Sequence, residues 1–547
     1  MNTAIQAAMS VSYFKNSPLE NYLESVIKLE LQIMKSLIHV FVLPVVAILL
    51  VACEIEKHDK PPNVLIIAVD DMKDWTGFLG GYEGKVHTPN MDLLAACGLA
   101  FTNAHASATV CCPSRYAFFL GKRPSSTGLY NNNQWWKPNH PALVSMPQYF
   151  RRHGYYTAGA GKLFHHTPGN NPPCSWDEYL DQVFDDPWNF AEWSVERYAV
   201  RFGYRGPIVP FPEWKPLNGI YPIRSELDWG PIPGKGEKDY GDVQAVQFAE
   251  EFLGRDQSDP FFLAVGIYRP HLPWHVPQEY FDKYPLDKIV LPGGLREEDL
   301  EDVPDAGKKL ALSGSRDFYQ IKEEGKWKEA IQAYLASISF ADAQVGTVLD
   351  ALEKSGQAEN TIVLLWSDHG WHLGSKDHWH KQTLWEECTR IPFIMNVPEM
   401  TKDGSTCDHP VDMVNVFPTL VSLCGLPPVE GLDGHDMTPI LMDPSGEWEW
   451  PALSEIKTGN MAVRTQNWRY IRYRDGSEEL YDRINDPYEW NNLAHGPAFK
   501  DVLEQHRRWI PPVFAEPVPG KEAFFFDPYA YTWINRETKS FIDGNEN

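Results

Sequence analysis

The sequence predicts an α/β fold: a large mixed, mostly parallel sheet sandwiched by helices, followed by a smaller C-terminal α+β subdomain with an antiparallel sheet. Three observations lead to this prediction. Continuously apolar segments at residues 63–69 and 361–366 are typical of strands buried on both faces. Residues 331–352 repeat apolar side chains every three or four positions, as a helix packed on such a sheet does. Beyond residue 442 the pattern changes to short alternating segments, which indicate antiparallel strands.

Taken in chain order, the same patterns assign the remaining elements. Further strands are predicted at residues 155–160 and 261–266, with an extended segment at 101–105 and antiparallel strands at 462–464, 468–473 and 480–482. Further helices are predicted near residues 89–94, 145–153, 242–253 and 500–509, and Gly356 is the expected C-terminal cap of the long helix. In residues 166–240 the apolar residues show no regular spacing, so we interpret this region as a lid or substrate wall. Residues 277–326 are interpreted as a second polar excursion.

The N-terminal region is predicted to be a targeting segment, residues 1–53. Lys35 precedes an apolar run at 37–52 that ends in Cys53, which resembles a bacterial lipoprotein signal with Cys53 as the lipidated residue. Met34 is a natural start, so residues 1–33 are interpreted as a mis-called extension. A plain signal peptide or an anchor helix is the alternative. The expectation is an exported protein, lipid-anchored at the bacterial cell envelope in the periplasm or at the cell surface.

The rest of the chain is divided into a large domain at residues 61–442, which carries the candidate site, and a C-terminal subdomain at 443–547. A formal net charge of −25 argues against nucleic-acid binding through a general basic surface. An anionic ligand would therefore need a locally positive pocket. The eight cysteines show no paired spacing typical of zinc, and their disulfide pairing cannot be read from the sequence.

Charged or imidazole side chains follow four of the predicted parallel strands. In an open parallel sheet, ligands bind beyond the carboxyl ends of the strands. The side chains that we expect to converge there are Asp70, Asp71, Lys162, His165, His271, Asp368 and His369.

Two of these strand ends predict a divalent metal site made by Asp70, Asp71, Asp368 and His369. Carboxylate oxygens favour Ca²⁺ or Mg²⁺, and the single histidine leaves Mn²⁺ or Zn²⁺ open. The structural alternatives are helix capping for the aspartate pair and a simple turn for the Asp368-His369 stretch.

A candidate nucleophile lies in the stretch Cys111-Cys112-Pro113-Ser114-Arg115. Proline here indicates the first turn of a helix, so Cys111 would lie at a helix N-terminus, where unpaired N–H groups favour an anion. Arg115, one turn further on, can direct its planar set of donors to the same point. The alternative is a buried vicinal cysteine pair ahead of a core helix.

This stretch, with the hydrophobic residues and Gly121 that follow it, resembles the signature of the formylglycine-dependent sulfatases, a family of the alkaline-phosphatase-like superfamily. The chain is most similar to the iduronate-2-sulfatase type. The stretches that carry the resemblance are residues 69–72, 111–124, 161–165, 269–273 and 367–371, with Lys381 and the C-terminal stretch 480–494.

The resemblance implies a role for each candidate residue. Cys111 is oxidised to formylglycine (3-oxoalanine) and, with Asp70, Asp71, Asp368 and His369, binds Ca²⁺ in preference to Mg²⁺ or Mn²⁺. Many members have Asn where His369 stands. The residues implied around the sulfate are Lys162, His165, His271 and Lys381, with Arg115 orienting the formylglycine. Cys112 departs from the smaller residue common at its position. Taken alone, His165 could be a loop or core histidine, His271 a purely structural residue and Lys381 a solvated charge.

The implied reaction begins with the hydrated aldehyde, whose two hydroxyl groups give a nucleophile and a later means of expelling sulfate. The metal, Lys162 and Lys381 stabilise charge on the sulfuryl oxygens, and His271 or His165 protonates the leaving oxygen.

The resulting functional hypothesis is a sulfuric ester hydrolase that acts on a sulfated oligo- or polysaccharide, such as ulvan, carrageenan or a glycosaminoglycan with iduronate 2-sulfate. Its expected partners are that substrate, a formylglycine-generating maturation enzyme and the membrane, and not nucleic acid. Two alternatives stay open: a phosphonate or phosphodiester hydrolase of the same superfamily, and a non-catalytic surface lipoprotein that binds sulfated glycans.

Overall fold

The structure is a computed structural model that describes residues 60–180, 217–220 and 227–546, together with the single residue Leu29. The predicted targeting segment with Cys53, and the greater part of the predicted lid, lie outside the described residues. Contacts divide the chain into two compact units, residues 1–61 and 62–547, and all elements below belong to the second. The division of the large domain from the C-terminal subdomain at residue 442 stays a prediction.

The strands of the described residues are numbered in chain order. They are β1 (Asn63–Val69), β2 (Leu99–Phe101), β3 (Ala104–His105), β4 (Tyr156–Gly161), β5 (Glu178–Leu180), β6 (Phe261–Ile267), β7 (Thr361–Ser367), β8 (His372–Leu373), β9 (Trp379–His380), β10 (Phe393–Asn396), β11 (Ser405–Cys407), β12 (Val411–Asp412), β13 (Ala452–Glu455), β14 (Met461–Arg464), β15 (Trp468–Arg472), β16 (Glu478–Asp482), β17 (Phe524–Asp527), β18 (Thr532–Asn535) and β19 (Phe541–Asp543).

The α-helices of the described residues are identified by their bounds. They are Pro89–Ala96, Cys111–Leu120, Pro124–Thr127, Trp136–Asn139, Met146–Arg152, Gly241–Leu253, Gln278–Asp282, Asp305–Leu312, Ser315–Glu323, Trp327–Lys354, Glu386–Thr389, Val416–Leu423, Thr438–Met442 and Lys500–Arg507.

Eight of the described strands form one sheet, in the order β11-β2-β10-β7-β1-β6-β4-β5. The central strand β1 pairs in parallel with β6 and β7, and β4 extends the parallel part on the far side of β6. β10 runs antiparallel to β7 and to β2. The predicted large, mixed and mostly parallel sheet is therefore confirmed. Strands that are apolar along their whole length indicate this kind of sheet, because such strands are fully buried only when both faces of the sheet are covered.

Helices cover both faces of this sheet, as predicted. Alternate side chains of β1 divide between two apolar clusters, because successive residues of a strand point to opposite faces. Leu65 and Ile67 belong to the cluster that includes helices Trp327–Lys354 and Gly241–Leu253. Ile66 belongs to the cluster with helices Cys111–Leu120 and Val416–Leu423.

The long helix agrees with its sequence pattern and is somewhat longer than predicted, Trp327–Lys354. Gly356 follows it with φ of +69°, the left-handed conformation that ends many helices and that glycine adopts without strain.

Several parts of the fold differ from the sequence prediction, and strands β10 and β11 and helix Val416–Leu423 were not predicted. The polar excursion at residues 277–326 contains helices that bury Leu310, Phe318 and Ile321. These helices are short, so their apolar side chains repeat over too few turns for the sequence to predict them. Within the region predicted as a lid, β5 pairs with β4 and forms one edge of the sheet. At the C-terminus, the antiparallel sheet β13–β16 is confirmed, whereas the small sheet β17–β19 was not predicted.

Two further properties of the described residues concern membrane crossing and the cysteines. Among the described residues, no helix combines the length and the apolar character that a membrane crossing requires. The seven described cysteines are all free thiols.

The helix Met146–Arg152 supplies a stability test. Ser145 caps it in a reciprocal capping box with Gln148, in which each side chain accepts a hydrogen bond from the backbone of the other. Ser145→Ala should destabilise the protein by about 1 kcal/mol, because a buried helix end loses its acceptor. Calorimetry should show a Tm about 1–2 °C lower. Ser126→Ala, which removes the hydroxyl of an exposed serine, is the control; equal Tm values for the two variants would contradict the assignment.

Candidate active site

The site lies beyond the carboxyl ends of four parallel strands in the middle of the sheet, β1, β4, β6 and β7. β1 and β7 are in register to their last residues, with Val69 opposite Ser367, so Asp70 and Asp368 leave the sheet side by side. Lys162 follows β4, and its backbone N–H donates to the carbonyl of Gly266 in β6. The convergence expected from the strand ends is therefore present.

Arg115 holds the two aspartates that start these loops. Its Nε donates to Asp368 Oδ2 at 2.9 Å, and its Nη2 donates to Asp70 Oδ1 at 3.0 Å. Its remaining recorded hydrogen bonds go to the backbone carbonyls of Lys162 and Leu163. All of its side chain is buried. In this structure Arg115 organises the carboxylates, and its predicted role toward a modified Cys111 stays a prediction.

Cys111 lies in the middle of the site. It is the first residue of the Cys111–Leu120 helix, and Val110 is the N-cap residue. Its Sγ lies 3.0 Å from Lys381 Nζ, 3.4 Å from His369 Nε2 and 3.6 Å from Lys162 Nζ. Two ammonium groups therefore flank the thiol at a helix N-terminus, which makes this point favourable for an anion.

Both lysines are held by aspartates. Lys381 Nζ donates to Asp71 Oδ1 at 2.7 Å, and Lys162 Nζ pairs with Asp70. Lys381 is predicted as a sulfate-binding residue, and the alternative of a solvated charge is wrong, because its side chain is 13% exposed and reaches the centre of the site.

The donor atoms in this cluster fit a cation. Asp71, Cys111, Asp368 and His369 each offer one atom, and these atoms lie within 4.8 Å of one another. His369 Nδ1 faces the carbonyl of Gly370 at 3.2 Å and donates to it, so the lone pair of Nε2 faces Asp71 Oδ1 at 3.4 Å and Asp368 Oδ2 at 3.6 Å. Lone pairs that face one another in this way are stabilised when a cation lies between them.

Two further observations support a cation here. Asp71 Oδ2 is buried and has no hydrogen-bond partner among the described residues. Burial raises the pKa of Asp71 to about 8, against the lowering effect of Lys381, and it also raises the pKa of Asp70. Without a cation, burial disfavours the ionised form of these carboxyl groups. A divalent ion bound between them would stabilise the ionised form.

The two histidines lie on different sides of the cluster. His271 Nδ1 is 2.6 Å from the carbonyl of Leu272 and 2.7 Å from the hydroxyl of Tyr268, and its Nε2 lies 3.6 Å from Asp71 Oδ2. His165 contacts Thr167 instead, and the structure records no hydrogen bond from it to Cys111 or to the carboxylates. Both are buried, which excludes a solvated loop histidine, and burial lowers the pKa of each well below its usual range.

Sequence reasoning missed several residues that shape the site. Tyr268 lies directly after β6 and could have been found by the same strand-end rule. Tyr334 was not identifiable: it lies inside the apolar pattern of the long helix, yet its hydroxyl donates to the carbonyl of Asp71 at 2.8 Å. Ser367 accepts from the backbone N–H of Met72 at 3.0 Å and so fixes the loop after β1.

Three tryptophans that follow β7 are packing residues, because their side chains are buried. Trp371, Trp379 and Trp385 are at most 2% exposed.

Comparisons with known proteins agree with this site. The family model described as Sulfatase matches residues 62–426, and a model described as N-sulphoglucosamine sulphohydrolase, C-terminal, matches residues 374–511. A protein of Formosa agariphila named sulfatase is 36% identical over 90% of this chain and 93% of its own length. The iduronate 2-sulfatase of Mus musculus is 32% identical over 81% of this chain and 93% of its own length.

A solved structure shares the fold at lower sequence similarity. The phosphonate monoester hydrolase of Agrobacterium radiobacter superposes with a TM-score of 0.65 at 19% identity, covering 87% of this chain and 100% of that one. At this identity the likeness concerns the fold alone.

Proposed function

This chain belongs to the sulfatase family and is a sulfuric ester hydrolase, and we propose that it removes sulfate from a sulfated carbohydrate with a formylglycine derived from Cys111 as the nucleophile. The observation that carries the proposal is the position of Cys111 Sγ, 3.0 Å from Lys381 Nζ at a helix N-terminus beside the buried carboxylates of Asp71 and Asp368. The similarity to a mouse protein named iduronate 2-sulfatase supports a carbohydrate substrate.

Asp70, Asp71, Asp368 and His369 would hold the divalent metal, and we propose Ca²⁺, since three of these four side chains are carboxylates. When bound, the ion supplies positive charge that polarises a sulfuryl oxygen and favours ionisation of the nucleophile. Arg115 holds Asp70 and Asp368 in the orientation that such a site requires.

Formylglycine, when formed from Cys111, supplies a hydrated aldehyde with two hydroxyl groups, one to attack sulfur and one to expel sulfate. The protein side chains then have separate tasks. Lys162 and Lys381 lie on either side of this position, where their ammonium groups attract the sulfate ester and stabilise charge on its oxygens. The leaving sugar oxygen takes its proton from His165 or His271 once that imidazole has been protonated, because burial lowers the pKa of both and leaves them neutral in the substrate-free protein.

The experiment that tests this function is sulfate release from a panel of sulfated glycans. The panel contains ulvan, carrageenan and iduronate 2-sulfate oligosaccharides, with a phosphonate monoester and a phosphodiester as competing substrate classes. Release of sulfate from one glycan, and slower turnover of the phosphorus esters, is expected. Preferential hydrolysis of a phosphorus ester would favour the phosphonate or phosphodiester hydrolase, and glycan binding without turnover would favour the non-catalytic lipoprotein.

For the location we propose an exported lipoprotein with Cys53 as its lipidated residue. The support is the sequence pattern at residues 35–53, since these residues lie outside the described structure. Processing should be sensitive to globomycin, the product should partition into detergent, and both properties should be lost in Cys53→Ala. Cys97→Ala, which changes an exposed cysteine of the described fold, is the matched control. A product cleaved elsewhere and recovered from the aqueous phase would refute the lipid anchor.

A further inference from the structure

A hydrogen-bond relay outside the metal cluster connects His165 to the C-terminal segment. His165 Nδ1 lies 2.9 Å from Thr167 Oγ1, and the backbone N–H of Thr167 donates to the same nitrogen at 3.3 Å. Lys521 Nζ, far along the chain, lies 2.8 Å from that hydroxyl oxygen. Asn170 Nδ2 is a third neighbour of the hydroxyl, at 2.7 Å.

The donors and acceptors around Thr167 fix the direction of its O–H. Lys521 Nζ can only donate. The amide of Asn170 is oriented by the carbonyl of Thr167, which can only accept, so Asn170 Nδ2 also donates to Thr167 Oγ1. Two donors occupy both lone pairs of the hydroxyl oxygen. Its single proton must therefore point to the remaining neighbour, His165 Nδ1.

This direction decides which nitrogen of His165 carries a proton. Nδ1 accepts both from the hydroxyl and from the backbone N–H of Thr167, so it is unprotonated. Burial lowers the pKa of His165, and the charges of Lys162 and Lys521 lower it further, so the imidazole is neutral. A neutral imidazole has one N–H, which must then be at Nε2. His271 has the opposite arrangement, because its Nδ1 faces the carbonyl of Leu272.

Lys521 comes from a segment that neither family model covers, because the two matches end at residues 426 and 511. The segment is nonetheless fixed to the loop between helices Pro124–Thr127 and Trp136–Asn139. The backbone N–H of Lys521 donates to the carbonyl of Asn133 at 2.7 Å, and that of Val518 donates to Gly128 at 3.1 Å. The ammonium group also lies 5.5 Å from the ring centroid of Trp135. These contacts hold Lys521 at Thr167 as part of the fold.

We propose that Lys521 is a positioning residue that acts through Thr167 to keep the proton of His165 on Nε2, from which the imidazole donates a hydrogen bond to an oxygen of the bound sulfate ester. The role toward substrate rests on the proposed function, whereas the state of the imidazole does not. Without Lys521, one lone pair of the Thr167 hydroxyl becomes free to accept from Nδ1–H, and the second tautomer becomes accessible.

The first test measures the tautomer in the substrate-free, full-length protein. Histidine is labelled with ¹⁵N, and long-range ¹H–¹⁵N correlation spectra are assigned for His165 by comparison with His165→Gln. In the unchanged protein His165 should have a protonated Nε2 and a bare Nδ1. Lys521→Met and Thr167→Val should each yield a mixture with the Nδ1–H tautomer, whereas Lys539→Met, an exposed lysine of the same C-terminal segment, should not. A protonated Nδ1 in the unchanged protein, or an unaltered pattern in both relay variants, would overturn the proposal.

The second test measures turnover. Lys521→Met should lower kcat on the sulfate ester about 10- to 100-fold, as loss of an outer partner of a functional histidine does, with a smaller change in KM. Lys521→Arg retains a donor and should restore most of kcat. Equal kcat values for Lys521→Met and Lys539→Met would refute the claim that Lys521 contributes to turnover through His165. If neither the unchanged protein nor any variant turns over a sulfate ester, the proposed function fails. The tautomer measurement then still shows whether Lys521 and Thr167 keep the proton of His165 on Nε2.

Discussion

Replacement of Cys111 by alanine is expected to abolish sulfate release, with a fall in kcat of roughly 10⁴-fold or more, because it removes the precursor of the nucleophile. Cys112→Ala is the matched control, since it removes the neighbouring thiol and should keep most of the activity. The two cysteines differ in their surroundings. Cys111 Sγ contacts Lys381 and His369, whereas the thiol of Cys112 packs in the apolar cluster on one face of the sheet.

The chemistry of the two thiols differs accordingly. Burial raises the pKa of Cys112 to about 12, so its thiol stays protonated and unreactive at neutral pH. Mass spectrometry of the peptide with residues 111–115 should find an aldehyde in place of one thiol, at Cys111. Protein made without a maturation system should keep both thiols and be largely inactive. If unconverted protein turned over sulfate esters as fast as converted protein, the nucleophile would have to be sought elsewhere.

Asp71→Asn should have the second large effect, on metal binding and on activity together. The substitution keeps the size of the side chain but removes a negative charge from the cluster of Cys111, Asp368 and His369. A metal contributes several kcal/mol of charge stabilisation to such a reaction, so activity should fall by roughly 10³-fold. Metal analysis after dialysis should show that the bound divalent ion is lost or weakly held.

The same variant should leave the fold intact. Asp71 is an aspartate whose ionised form is penalised by burial and whose Oδ2 has no hydrogen-bond partner among the described residues. In chelator, Asp71→Asn should therefore unfold at the same Tm as the unchanged protein or higher, and added Ca²⁺ should raise the Tm of the unchanged protein alone. Glu353→Gln, which neutralises an exposed carboxylate on the long helix, should behave as the unchanged protein. Full activity of Asp71→Asn in chelator would refute the metal assignment.

Much of the catalytic region could be predicted because its residues follow recognisable strands. Asp70 and Asp368 come directly after β1 and β7, which are apolar along their whole length. The carboxyl ends of parallel neighbours meet at one edge of a sheet, so local patterns were sufficient to bring these side chains together. The position of Cys111 at a helix N-terminus was likewise predictable from the proline that follows it.

The orientation of side chains within the site required the tertiary structure. The sequence predicts that Arg115 points toward the nucleophile, and in the folded chain its four recorded hydrogen bonds go to Asp70, Asp368 and two backbone carbonyls. A buried guanidinium binds the nearest carboxylates, and sequence spacing does not contain the identity of those neighbours. Tyr334 illustrates the same limit, because only the packing of the long helix brings its hydroxyl to the carbonyl of Asp71.

The amino-acid sequence alone was thus sufficient for the central parallel strands β1, β4, β6 and β7, for the long helix and for the cluster of ionisable groups at the strand ends, since hydrophobic period and strand ends are local properties. Which atoms face one another was decided by the tertiary structure. Lys521 and Thr167 are separated by 354 positions in the chain, and no local pattern relates them. Their contact exists because the C-terminal segment packs on the loop between helices Pro124–Thr127 and Trp136–Asn139, and packing of distant segments depends on the shape of the whole fold.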